Sequence, residues 1–269
     1  MDKEITDFNV RLRTIRIRDL IVGIILTFII SIILAIIFPE LYETEDLFFI
    51  IFLFIGTLLF IYALKGTKGI NTNFKNLFES NIKKEIIYVL ILNLLFTLLF
   101  TFLFSLADII IGFNDPTWIS IWDSETFYTD PNFLIFDSIG SIIFAPLLEE
   151  LIFRGILFNR IKIRTGIIPA MIISSILFAV GHDFGGITSA FIFGICMCIL
   201  YLKTDNILIP MSVHFLNNVI VTVILITGID IVLAQMPWLI LSIIITLIGS
   251  IVLIKYVFKE TKILKTENY

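Results

Sequence analysis

The sequence predicts an all-α, polytopic membrane protein with about eight transmembrane helices and both termini in the cytoplasm. Three observations carry that expectation. The 269 residues are 58% hydrophobic and only 16% charged, with a mean hydropathy of +1.05. A soluble domain holds about 45–50% apolar and about 25% charged residues. Ile, Leu and Phe recur in runs of about twenty, the length a helix needs to cross the hydrocarbon of a bilayer. The basic residues alternate with the runs: present in every second loop, absent from the others. The polar stretches between runs are too short to fold alone, so residues 1–269 read as one membrane domain.

Taken in order, the expected spans are Leu20–Phe38, Leu47–Leu64, Ile86–Ala107, Phe133–Phe158, Ile167–Gly181, Thr188–Leu202, Ile207–Ile226 and Trp238–Tyr256. The fifth and sixth are short for about 30 Å of hydrocarbon. The N-terminal tail holds Lys3, Arg11, Arg13, Arg16 and Arg18. Lys65–Glu85 holds five lysines; Arg160, Lys162 and Arg164 follow the fourth span. Lys203 follows the sixth, and Lys255, Lys259, Lys262 and Lys265 close the chain. The opposite loops carry only acids, among them Glu40, Glu43, Asp115, Asp123, Asp183 and Asp230. Every one of the 19 basic residues except Arg154 therefore falls on one side. The positive-inside rule makes that side cytoplasmic, in the cell membrane.

The segments between spans add detail. Lys65–Glu85 mixes Phe74, Leu77, Phe78 and Ile82 with lysines, which suits either a helix on the inner leaflet or a solvated basic loop. Trp118, Trp122, Phe127 and Tyr128 in the long outer loop have the character of interfacial aromatics. Cys196 and Cys198, two apart in an apolar run, point to different helix faces and read as packing residues. No cleavable signal peptide is expected, and nothing in the composition points to nucleic acid. There is no internal repeat and no inverted pair of broken helices, which disfavours a transporter.

One stretch breaks the apolar pattern. Ala145-Pro146-Leu147-Leu148-Glu149-Glu150-Leu151-Ile152-Phe153-Arg154-Gly155 puts three charges into a span, each costing roughly 2.5–3.5 kcal/mol near mid-bilayer. Glu150 and Arg154 are i,i+4 neighbours and can pair. Glu149 points about 100° away and finds no partner on its own helix. Pro146 bends the axis just before it, leaving room for water or substrate, or serving as a packing kink.

The two histidines are His182, sharing a face with Phe178, and His214, sharing a face with Asn218. Gly166 is the natural turn between the fourth and fifth spans. Glu149 lies 17 residues before it and His182 16 after it, so an antiparallel pair brings both to one level, roughly 24 Å from the turn at 1.5 Å per residue. His214, nine residues or so past the Lys203–Asn206 turn, matches that level less well. A carboxylate and an imidazole sharing a water can take its proton. A second His and an Asn can donate to the oxyanion of a tetrahedral intermediate. Together these groups suffice for amide hydrolysis by direct attack of water. Ser174, Ser175 and Ser212 have no evident base partner.

Glu149-Glu150-xxx-Arg154, Phe178-xxx-His182 and His214-xxx-Asn218 resemble, in order, the three motifs of the CPBP intramembrane proteases. That family includes the CAAX prenyl endopeptidases and the bacteriocin-processing and self-immunity proteins of bacteria. The resemblance covers residues 133–221. It implies an eight-helix fold and a glutamate-type endopeptidase acting on a peptide or protein at the membrane. By the same resemblance Glu149 and His182 would activate water, and His214 and Asn218 would stabilise the oxyanion. Glu150, Arg154 and Phe178 would support them. No cofactor is expected.

Other readings use the same residues. Zinc is not excluded, although there is no His-Glu-x-x-His and the two histidines sit on different helices. A non-enzymatic protein could bind a partner, give immunity or pass ions through the polar cluster. The Ile-, Asn- and Lys-rich composition suits an AT-rich prokaryotic genome. Nothing in the residues reads a prenyl chain or names a cleavage sequence.

Overall fold

The computed structural model describes residues 7–42, 45–79, 82–111, 138–182 and 186–266. Lys3, Glu43, the outer loop with Trp118, Trp122, Phe127 and Tyr128, the start of the fourth span at Phe133, and Asp183 and Gly185 lie outside them. Among the described residues there are helices and no strands, the all-α class expected.

The helices are α1 (Phe8–Thr14), α2 (Ile17–Ile37), α3 (Glu45–Ala63), α4 (Ile70–Glu79) and α5 (Lys83–Ile111). Next comes a continuous composite helix, α6, built from Gly140–Phe144, Ala145–Glu150, Leu151–Phe158 and Asn159–Thr165. Then follow α7 (Ile167–Val180), α8 (Ile187–Thr204), α9 (Leu208–Thr227), α10 (Ile229–Leu233) and α11 (Trp238–Thr266). Among the described residues, five helices are long and apolar enough to cross a membrane: Ile17–Ile37, Lys83–Ala107, Ile187–Thr204, Leu208–Thr227 and Trp238–Thr266. Leu47–Ala63 and Ile167–Val180 are apolar but shorter.

The packing is that of a membrane protein, with apolar residues outward and small polar ones inward. On α2, Ile21, Ile25, Phe28 and Ile32 are exposed while Thr27 and Ser31 are buried. On α11, Ile240, Ile244, Leu247 and Ile251 face out while Ser242, Thr246 and Ser250 face in. The first set suits a lipid surrounding; of the second, Thr27, Ser242, Thr246 and Ser250 donate to backbone carbonyls, as when Thr246 Oγ1 donates to Ser242 O at 2.7 Å. α7 and α8 approach closely because Gly194 has no side chain: a Cβ there would sit 2.9 Å from Ser175 Cβ. The same device at Gly56 seats α3 against Leu148, one residue before Glu149.

Gly166 separates α6 from α7 with φ +84°, the turn the sequence expected. Within Lys65–Glu85, open between helix and loop in the sequence, Ile70–Glu79 forms the helix α4, tied to the bundle by Asn206 Nδ2 donating to Asn73 O at 2.8 Å.

The N-terminal tail, read in the sequence only for its basic residues, is structured. It folds into α1, started by the Asp7 side chain accepting from Val10 N at 3.0 Å. This short helix ties the basic end of the bundle together. Asn9 Nδ2 donates to Asp205 O at 2.7 Å, and its Oδ1 accepts from Ile207 N at 3.1 Å, at the start of α9. Arg13 pairs with Asp205. Arg11 donates to the carbonyls of Gly66 and Lys68 at 3.0 and 2.8 Å. Arg160 donates to those of Ile15 and Thr14, both at 2.6 Å. Leu12, fully buried, lies against Gly155 of α6.

Candidate active site

The site is built on α6, which is not a regular α-helix. Gly140–Phe144 is a π-turn in which Ala145 N donates back to Gly140 O. The next residue, Pro146, has no N–H, so it cannot supply the donor that continuing the π ladder would give Ser141 O. Asn218 of α9 supplies one instead: its Nδ2 donates to Ser141 O at 2.7 Å. The α-helical segment Ala145–Glu150 then carries both glutamates, and Leu151–Phe158 is again π-type. Such single turns widen a helix locally and cluster at functional sites.

The two glutamates occupy different environments. Glu150 is fully buried and Glu149 keeps 24% of its side chain exposed. Glu150 Oε1 accepts from Arg154 Nη1 at 2.8 Å, the i,i+4 pair, and from His214 Nδ1 at 3.0 Å. The Arg154 guanidinium lies 4.4 Å over the Phe178 ring, a further cation contact in a dry surrounding. His214 also turns its Nε2 toward Glu149 Oε2, 4.0 Å away. That gap is too long for a direct hydrogen bond and suits a bridging water.

The hydrogen bonds set the tautomers. An ionised carboxylate only accepts, so His214 carries its proton on Nδ1 toward Glu150 and leaves Nε2 bare when neutral. His182 Nδ1 lies 3.0 Å from Phe178 O, an acceptor only, so its Nε2 is bare as well. Aromatic rings hold both imidazoles. Phe178 stands 4.6 Å from the His182 ring and 5.8 Å from that of His214; Phe193 packs on His214 at 5.0 Å.

Six of the seven residues singled out in the sequence are joined by short contacts, Glu149 to His214, Glu150 to Arg154 and His214, and Phe178 to Arg154, His182 and His214; Asn218 bonds instead to Ser141 on α6. His182, the histidine matched in depth to Glu149, is exposed just past the end of α7, where its ring packs on Phe178. His214, matched less well, makes the ion-pair contact. Three features were not foreseen: the π-turns, the Ser141 carbonyl, and Asn217, whose Nδ2 donates to Asn218 Oδ1 at 3.3 Å. The available signals were Gly140 and Pro146 bracketing five residues, and the Asn217-Asn218 doublet.

Cys196 and Cys198 are buried free thiols. Among the described residues, no group of three or more His, Cys, Asp and Glu side chains is arranged to hold a metal ion.

Comparison with known proteins points to the same segment. Residues 131–220 match the family model described as Type II CAAX prenyl endopeptidase Rce1-like. A Bacillus subtilis protein named "Putative membrane peptidase YdiL" is 34% identical over 86 residues, 32% of this chain and 35% of that protein. The Staphylococcus aureus "Membrane-embedded CAAX protease MroQ" is 38% identical over 95 residues, 33% of this chain and 37% of that protein. The chain thus spans about a third of the length of the curated relatives it matches. No solved structure gives a significant match.

Proposed function

We propose that this chain is an intramembrane endopeptidase that hydrolyses a peptide bond by direct attack of water. One observation carries the proposal: the accessible carboxylate of Glu149 faces Nε2 of His214 across 4.0 Å, while Glu150, paired with Arg154, holds the other side of that imidazole. The matched family model and the names of the two relatives support it.

In the proposed reaction a water sits between Glu149 Oε2 and His214 Nε2. Glu149 takes one of its protons as the oxygen attacks the scissile carbonyl, with His182 adding a second imidazole to the field around the carboxylate. His214 enters the reaction as imidazolium, having taken its Nε2 proton from solvent water before the attack, and donates that N–H to the oxyanion. Glu150, itself neutralised by Arg154, stabilises that charged form. Asn218 spends one N–H on Ser141 O and keeps the second for the oxyanion. The tetrahedral intermediate collapses when the proton held by Glu149 passes to the leaving amine, yielding a free carboxylate and a free amine.

The substrate class in this proposal is a peptide or protein lying at the membrane, a CAAX-type protein among them by the description of the matched model. The Lys- and Arg-rich end of the bundle is placed in the cytoplasm with both termini, and the eight apolar segments are taken as crossings. No cofactor is invoked. The test is to compare membrane-associated peptides in cells carrying the wild-type protein and Glu149→Gln at equal abundance. Peptides that lose a segment only with the wild type support the proposal; identical peptide profiles contradict it.

A further inference from the structure

The peptidase site leaves a second charged feature of the bundle unused. A cleft of about 640 Å³ opens between the start of α5 and the last turns of α11, beside the end of α8. Lys84, Glu85, Lys203, Lys255, Lys259 and Glu260 line it, with Tyr88, Tyr256 and Val252 as its apolar part. None of these belongs to the candidate active site.

The charges do not balance. Lys203 Nζ donates to Glu85 Oε1 at 2.5 Å and to Glu260 Oε2 at 2.9 Å. Tyr256 OH donates to the same Glu85 oxygen at 2.6 Å. Both carboxylates of the cleft are therefore engaged by groups already in its wall. Among the described residues, Lys84, Lys255 and Lys259 have no acidic partner. Lys255 and Lys259 are i,i+4 on one helix face, a like-charge spacing that disfavours the helix unless an anion joins them. Four lysines against two glutamates leave the cleft with a formal charge of two positive units.

The surroundings select the kind of anion. The cleft sits at the basic end of two membrane helices, and its floor is the edge-to-face pair Tyr88–Tyr256, with ring centroids 5.8 Å apart. Beyond it the exposed surface turns wholly apolar, with Ile87 and Ile91 on α5 and Ile251 and Ile254 on α11. A molecule with a phosphate among the lysines and acyl chains along those isoleucines satisfies both parts. Inorganic phosphate satisfies only the first. We propose that this cleft binds the phosphate-bearing headgroup of an anionic phospholipid, with its acyl chains running between α5 and α11.

The test uses the full-length protein, delipidated in neutral detergent, with bound lipid read by native mass spectrometry. Phosphatidylglycerol should be retained over phosphatidylcholine by at least about tenfold. The K84Q/K255Q/K259Q variant should lose that preference, while a K65Q/K262Q/K265Q variant, altered at the same end but outside the cleft, should keep it. Equal retention of the two lipids by the wild type overturns the proposal whatever the variants do. So does equal loss in both variants, which would mean general surface charge. Binding of inorganic phosphate as tightly as the lipid would show an anion site without a lipid ligand. None of these readings depends on peptidase activity.

Discussion

Asn218 Nδ2 donates to the carbonyl of Ser141 at 2.7 Å, joining α9 to the π-turn that precedes the glutamates. The bond exists beside Pro146, whose missing N–H cannot serve that carbonyl. It fixes the amide of Asn218 with one N–H still to give. Replacing Asn218 by Ala should lower kcat by about 10²–10³-fold with little change in KM, as for a donor used in the transition state. Pro146→Ala, which restores a competing N–H, should lower kcat in the same sense by a smaller factor. Steady-state kinetics on a cleavable membrane peptide checks both; a change confined to KM would contradict the role.

The buried pair Glu150–Arg154 gives a stability prediction of a different form. Removing one partner strands a charge, so Arg154→Met should destabilise the protein by about 3–5 kcal/mol. Glu150→Gln should cost less, because the amide oxygen still accepts from Arg154 and His214. The double change Glu150→Leu with Arg154→Met should recover much of the stability lost in Arg154→Met while remaining inactive. Thermal unfolding in detergent, read beside activity, separates the structural effect from the catalytic one.

At the opposite end of α9, Asn9 accepts from Ile207 N and donates to Asp205 O, both across a long stretch of sequence. Asn9→Ala leaves a buried amide unpaired and should cost about 1–3 kcal/mol. Leu12→Ala, opening a void against Gly155, should cost about 2–5 kcal/mol. Equal thermal midpoints for wild type and either variant would show that α1 does not fasten the bundle.

These contacts also show where sequence reasoning stops. Long apolar runs impose helices through backbone hydrogen bonding in lipid, so α2, α3, α5, α7, α8, α9 and α11 were legible, as was the i,i+4 pair Glu150–Arg154. The seven-residue α1 has no such run; its buried Phe8 and Leu12 are two apolar residues in a basic tail. The short contact of Glu149 with His214 joins α6 to α9, two helices far apart in the sequence. Counting along one helix cannot supply it. The π-turns were hidden for a related reason: Gly140 and Pro146 mark an irregularity without saying which way the ladder shifts.

The central claim is that Glu149 takes a proton from water facing His214. The direct measurement is cleavage of a membrane-inserted reporter peptide by the purified protein in liposomes, wild type against Glu149→Gln, with and without a metal chelator. The account predicts that wild type cleaves unchanged in chelator and that Glu149→Gln, equally folded, is slower by about 10²–10⁴-fold. A Glu149→Gln protein cleaving at near the wild-type rate, or wild-type activity lost to chelator and restored by zinc, would contradict it.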